Sequence, residues 1–231
     1  MRRWQHTRLA GFRRDERGTT MVEFAICISL FLLIFFAVLD FGRLAYNWVM
    51  AEKAMERAAR IAAVRPAVCA GVPDRITRVD PFDTTFPTGT LCRSTPGLCV
   101  QTNPAPCTLA TADGTSPASL AVAGEIWSAI RPMLPDNASA ANVMLQYRSD
   151  PQLGFLGGPY TPLITAELVG NVGPFGASED FRFSFVTPLS ALAAAAGASN
   201  TTGVPAEGGT IPFPDVAVTI PAEDMNFGGG G

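Results

Sequence analysis

One stretch of sequence decides the architecture: residues 21–39 read MVEFAICISLFLLIFFAVL, with one charge, Glu23, near the start. A helix of about 20 mostly apolar residues is long enough to cross the hydrocarbon core of a bilayer. A cleaved secretory signal is the competing interpretation, but its apolar region is usually about 7–15 residues long and ends at a small-x-small site. Here the run is longer and continues into Leu39-Asp40-Phe41-Gly42-Arg43. The sequence therefore predicts a retained transmembrane helix.

Charge is distributed unevenly on the two sides of this helix. Six arginines precede it, offset by two acidic residues, whereas 11 basic and 18 acidic residues follow Gly18. The positive-inside rule places the basic leader in the cytoplasm and predicts that the C-terminal portion is exported. An acidic exported portion gives no reason to expect nucleic acid as a partner. The leader arginines are Arg2, Arg3, Arg8, Arg13, Arg14 and Arg17.

A processing signature lies between the leader and the apolar run. Cleavage after Gly18 would give Thr19 a new α-ammonium group, and Glu23 would lie one helical turn away. A carboxylate inside an apolar segment is costly and needs a partner, and this ammonium, in the same subunit or in a neighbour, would supply one. The alternative is that Glu23 lies at the headgroup boundary and reaches water, with Gly18 an ordinary helix-start residue. The leader, the glycine, the glutamate and the apolar run together favour a type IV prepilin signal.

Three sequence blocks resemble the N-terminal domain of the TadE-like family, pilin-like components of the Tad (Flp) pilus assembly system. They are Val22-Glu23-Phe24-Ala25, Asp40-Phe41-Gly42-Arg43 and the alanine- and arginine-rich stretch from Ala54 to Arg60, and the match covers roughly residues 13–63. Ser29 and Ala37 stand where the family often has proline and glycine.

The resemblance implies a single-pass protein of the bacterial inner membrane with a periplasmic C-terminal domain. It also implies cleavage after Gly18 by a prepilin peptidase, and service as a minor pilin or assembly factor with other pilins or Tad assembly proteins as partners. The processing residues are then Gly18, Thr19, Glu23 and Phe24.

The helix is expected to continue beyond the membrane, because an apolar stripe with alternating spacings of four and three residues follows Leu39. Pro66 ends the pattern, so the helix is predicted over 19–65, about 70 Å at 1.5 Å per residue. Packing of this stripe on the chain's own domain is favoured over a contact with a neighbouring subunit. The stripe comprises Leu44, Trp48, Ala51, Met55, Ala58 and Ala62.

Four cysteines follow the helix, and an even number in an exported region indicates disulfides. Three pairings are possible and the sequence does not choose among them; Cys92–Cys99 would close a short loop and leave Cys69 with Cys107. A zinc site is disfavoured because this part of the chain has no C-x-x-C and no histidine. Cys27, inside the apolar run, is expected to be a small packed residue.

The exported part is predicted to be α+β: a helix over 118–131 with Leu120, Ala123, Trp127 and Ile130 on its apolar face, lying on an antiparallel sheet. Alternating residues predict strands at 143–148, 164–169, 181–186 and 216–220. The aromatic row Phe181, Phe183 and Phe185 is expected in the core. The predicted domains are a leader (1–18), the membrane and stem helix (19–65), a Cys/Pro-rich loop region (66–117), the α+β domain (118–227) and a tail without structure (228–231), with a flexible loop at 190–209.

Enzymatic chemistry is not expected. The one histidine is in the leader, so no Ser/His or Cys/His dyad can form in the exported part. No phosphate-binding loop precedes a helix and no acidic pair is distinguished as an acid/base couple, so neither a cofactor nor a small-molecule substrate is expected. The alternative to a pilin-like protein is an unprocessed, membrane-anchored periplasmic binding or adhesive module.

Overall fold

A computed structural model of the chain describes residues 18–81, 85–111, 117–172, 178–188, 210–223 and 225. The predicted leader, the 190–209 loop and the 228–231 tail therefore lie outside the described residues, apart from Gly18. The described residues fall into two compact units. One contains 18–43 and 185–188, and the other contains the remainder.

Helix α1 is the main element and runs over Thr19–Val64 without interruption. It ends one residue before the predicted boundary, because Arg65 precedes Pro66 and the residue before a proline is disfavoured in helix. It continues through Ser29 and Ala37, the positions where the TadE-like family often has helix-perturbing residues. The Ser29 hydroxyl donates to the Ala25 carbonyl at 2.7 Å, so the side chain is satisfied within the helix.

The N-terminal part of α1 has the properties of a membrane span. Its most apolar window has a mean hydropathy of 2.8, and none of that window is buried. Among the described residues, α1 is the one helix that is long and apolar enough to cross a bilayer. These properties support a single-pass membrane protein.

The C-terminal part of α1 has a buried face. This face confirms the predicted stripe from Ala51 onward and is wider than predicted, but Leu44 is only half-buried and Trp48 is exposed. The sequence pattern overextended the stripe towards the N-terminus because helical periodicity does not show where packing begins. The buried face consists of Ala51, Ala54, Met55, Ala58, Ala59, Ala62 and Ala63.

An antiparallel sheet forms the core of the second unit, as predicted. The strands are β1 (Cys107–Thr108), β2 (Val143–Arg148), β3 (Leu163–Val172), β4 (Ser178–Asp180), β5 (Arg182–Ser184), β6 (Thr210–Pro212) and β7 (Ala217–Pro221). Its central strand β3 pairs with β2 from Val143↔Leu168 to Arg148↔Leu163, and with β7 from Leu163↔Pro221 to Glu167↔Ala217. Strand β1 pairs with β2, β4 with the end of β3, and β5 with β6 in a separate two-stranded sheet.

The predicted strand over 181–186 is shorter than expected. Strand β4 ends at Asp180 and β5 covers Arg182–Ser184, so Phe185 lies beyond the strand and is half-buried. Phe181 and Phe183 are core residues, as predicted, and both rings pack on Phe213.

Helix α2 spans Pro117–Ile130, and its buried face agrees with the prediction at Ala123 and Ile130 only. The buried residues are Ser119, Val122, Ala123, Ile126 and Ile130, whereas Leu120 is 58% exposed. Trp127 is half-buried and its ring lies under the Arg131 guanidinium at 5.9 Å. The sequence PASLAVAGEIWSAI is apolar on nearly every side, so its periodicity did not define one face.

Two disulfides lie in the loop region, and one of them connects it to the sheet. The pairs are Cys69–Cys107 and Cys92–Cys99, with S–S distances of 2.03 and 2.07 Å. Cys107 lies in β1, and the Cys69 sulfur is 3.4 Å from the Leu145 carbonyl oxygen of β2. The chain that leaves α1 is therefore fixed covalently to the sheet.

The loop region also contacts the turn between β2 and β3. Isolated bridges join Arg75 to Pro159 and Leu91 to Phe155. Gly154 and Gly157 adopt φ of 78° and 80°, which side chains other than glycine rarely adopt, and a Cβ at Gly154 would also overlap Ile76. Both glycines therefore serve the turn between β2 and β3.

Candidate functional site at the membrane helix

The predicted cleavage bond lies at the start of α1. Gly18 immediately precedes the helix, Thr19 is its first residue, and both are exposed. No described atom would lie within 4 Å of a Cβ added to Gly18, and its φ is not positive. The fold therefore gives no steric or conformational reason for glycine at this position.

Glu23 lies one turn into the helix and is exposed among apolar side chains. Within the described part of the chain, no hydrogen bond or ion pair joins Glu23 to another residue. Its neighbour Phe24 is 66% exposed. The structure thus places Gly18, Thr19, Glu23 and Phe24 on consecutive turns at the helix start, with the carboxylate available to a partner from outside this fold.

Asp40 is a second carboxylate of this helix, and it is buried and hydrogen-bonded, whereas Glu23 is exposed. Its side chain is completely buried, and it accepts hydrogen bonds from the Val186 N–H at 3.3 Å, the Thr187 N–H at 3.4 Å and the Thr187 hydroxyl. Arg43 lies 3.6 Å from the same carboxylate. The sequence pattern predicted no role for Asp40 itself; the available signal is a charge directly after the last residue of the apolar run.

In the second unit, the pKa values of Tyr147 and Glu167 are raised, and both residues lie in strands of the sheet. Over the described ranges, no three His, Cys, Asp or Glu residues are grouped so that they could hold a metal ion. Burial raises the pKa of Tyr147 to about 12, although its hydroxyl accepts a hydrogen bond from the Val68 N–H at 3.2 Å. Burial, and then the charge of Asp215, raise the pKa of Glu167. Strand β3 carries Glu167 opposite Ala217 of β7, so this carboxyl is part of the sheet surface.

Together these features define a class: a single-pass membrane protein whose apolar helix continues into a disulfide-bonded α+β domain. Residues 18–60 match the family model described as TadE-like protein, which confirms the resemblance seen in the sequence. The match begins at Gly18 and includes Glu23 and Asp40. No curated protein matches the chain. No solved structure matches it either.

Proposed function

We propose that this chain is a pilin-like membrane protein of Tad pilus assembly that a prepilin peptidase cleaves after Gly18. The observation that carries the proposal is Glu23, an exposed carboxylate without a partner among the described residues, one turn from the start of an apolar helix that matches the TadE-like family. Other pilins or Tad assembly proteins are the proposed partners, and the role is structural rather than enzymatic.

The chemistry of cleavage explains this placement. Hydrolysis after Gly18 creates an ammonium group on Thr19, at the end of the helix where the macrodipole is already positive. A carboxylate one turn away offsets that charge, either in the same chain or in a neighbour packed alongside in the bilayer. Without cleavage, Thr19 carries no ammonium group, and none of the described residues supplies Glu23 with a counter-charge.

The proposed topology places the leader in the cytoplasm and the α+β domain in the periplasm. The arginine-rich leader supports the first part under the positive-inside rule. The two disulfides support the second, because disulfides persist in oxidising compartments such as the bacterial periplasm.

The decisive experiment is mass spectrometry of the mature N-terminus, on protein taken from the membrane fraction and from sheared pili. We expect Thr19 as the first residue. Recovery of intact chains that begin at Met1, from cells with an active prepilin peptidase, would contradict the proposal and favour the unprocessed membrane-anchored module. A strain without the peptidase is the matched control and should yield only the Met1 form.

A further inference from the structure

The polypeptide returns to α1 at the point where the apolar run ends. Asp40 directly follows Leu39, and its side chain is fully buried. By contrast, Val38, Leu39 and Phe41 are all exposed. The residues that contact the carboxylate are Val186 and Thr187, which belong to the same compact unit as the N-terminal part of α1.

The contacts with Asp40 pair backbone N–H groups that, in a strand or helix, would be paired with carbonyl groups of the backbone. Residues 185–187 lie beyond β5 and are not in a helix or strand, so their N–H groups are paired by means other than a strand ladder. The Asp40 carboxylate accepts two of these N–H groups and the Thr187 hydroxyl. Irregular backbone is costly near hydrocarbon unless its polar groups are paired, and Asp40 supplies that pairing. Arg43, one turn further along the helix, lies 3.6 Å from the carboxylate and offsets its charge.

The same segment presents apolar side chains. The Phe185 ring packs edge-on against Phe41, with the ring centroids 6.1 Å apart. Val186 is 72% exposed and Phe41 is 57% exposed. Together with Val38 and Leu39, these two side chains extend the exposed apolar surface of the helix beyond Leu39, where the predicted span ends.

We propose that residues 185–187 are a second membrane contact of this protein, in which Phe185 and Val186 enter the lipid headgroup–acyl boundary and Asp40 holds the segment there. Lipid is the occupant because this patch is continuous with the apolar surface of α1 that already faces the bilayer. The proposal rests on the membrane helix alone. It does not depend on cleavage after Gly18 or on the pilus role, so the failure of either would leave it standing.

The test uses the full chain in vesicles of phosphatidylethanolamine and phosphatidylglycerol, with Cys27→Ala so that one introduced cysteine carries a nitroxide spin label. The label is placed by Val186→Cys, with Val38→Cys as the lipid reference and Val79→Cys as an exposed reference in the loop region. Collision with oxygen and with a water-soluble nickel chelate gives the depth. We expect the label at 186 about 5–10 Å inside the headgroup boundary, the depth typical of interfacial segments.

Two results would overturn the lipid contact. One is a label at 186 that is as accessible to nickel as the label at 79. The other is a label protected from both reagents and broadened by spin–spin coupling, which would show that a second copy covers the patch. Intact disulfides, verified by mass, confirm that each labelled protein is folded.

The role of Asp40 is tested by Asp40→Ala in the same labelled protein. We expect the label at 186 to become accessible to nickel while the label at 38 is unchanged. Thr187→Val removes only the hydroxyl donor and should give a smaller change in the same direction. It replaces Asp40→Ala as the test variant if Asp40→Ala fails to fold. A label at 186 that keeps its depth in every folded variant would show that Asp40 does not hold the segment.

Discussion

The two ends of helix α1 have opposite surroundings, although one uninterrupted helix contains both. Side chains of residues 21–35 are all exposed, whereas seven residues between Ala51 and Ala63 are buried. The second stretch therefore has its packing partners within the chain, and the first must find them in lipid or in another protein. The two parts of the helix therefore need different experiments. Unfolding measurements report on the C-terminal part, whereas processing, assembly and membrane depth report on the N-terminal part.

The largest effect is expected from Gly18→Ala, which should abolish maturation, so that only the Met1 form is found by mass spectrometry. A Cβ at Gly18 meets no described atom, so any defect reports recognition by the peptidase and not a disturbed fold. Gly42→Ala is the matched control, since Gly42 also lies in open space, within the helix. It should be cleaved normally. Normal maturation of Gly18→Ala would remove the processing proposal.

Glu23→Ala should separate cleavage from assembly. We expect the Thr19 terminus to form as usual while the yield of pili falls severely, because the new ammonium loses its counter-charge in an apolar environment. The control is Glu52→Ala, which removes an exposed carboxylate from the other part of the same helix. Electron microscopy and quantification of sheared pili provide the measurement. Wild-type pilus numbers in Glu23→Ala would show that the carboxylate is not a pairing group.

Two phenylalanines, one buried in the domain and one exposed in the apolar run, test the comparison through the free energy of unfolding. Phe183 is 2% exposed and packs on Phe213, so Phe183→Ala should lower the free energy of unfolding of the domain by about 3–5 kcal/mol. Phe31 is 62% exposed in the apolar run, and Phe31→Ala should leave that free energy within about 0.5 kcal/mol of wild type. Denaturant titration in detergent micelles, monitored by near-UV circular dichroism, measures both. Equal losses would mean that the apolar stretch packs on the domain.

Much of this architecture could be predicted from sequence because its signals are strong and local. The apolar run, the proline after α1 and the alternation in β2 and β3 each depend on neighbouring residues, and each gave a correct element. The predicted face of α2 was correct at Ala123 and Ile130 but wrong at Leu120. Its composition is apolar all round, so only tertiary contacts choose Val122 and Ile126 over Leu120. Cys27 was expected to be packed, yet it is exposed on α1.

The candidate site was only partly accessible to sequence reasoning. Glu23 could be singled out because a charge in an apolar run is conspicuous. The environment of Asp40 could not be predicted, since its partners Val186 and Thr187 are almost 150 residues away along the chain. The disulfide pairing was open for the same reason: it depends on which strand edge the loop region reaches.

A smaller effect is expected from Tyr147→Phe. It leaves the buried Val68 N–H without its acceptor, which should cost about 1–3 kcal/mol of domain stability. The pKa of Tyr147 is raised from 10.0 to about 12, so the unfolded state loses its proton first as pH rises. The contribution of Tyr147 to wild-type stability should be constant below pH 10 and fall between pH 10 and 12, by about 1.4 kcal/mol per pH unit.

Denaturant titrations across this pH range measure that slope. Tyr147→Phe should reduce it. The slope that remains belongs in part to Tyr160, because burial also raises the pKa of Tyr160. An unchanged slope in the variant would show that Tyr147 is already solvated in the folded protein.

The smallest effect concerns Arg65 and Glu125, an exposed ion pair of 3.1 Å between the residue after α1 and helix α2. A double-mutant cycle with Arg65→Ala and Glu125→Ala should give a coupling of about 0–1 kcal/mol, because both side chains stay hydrated. The coupling should disappear near 1 M salt, where the screening length is about 3 Å. A larger coupling that resists salt would mean that the pair is desolvated. This pair contrasts with Glu23. The Glu125 carboxylate has its partner within the chain and is hydrated, so it contributes little to stability. The Glu23 carboxylate lies in an apolar stretch and gains its proposed partner only on cleavage, so we expect it to decide assembly.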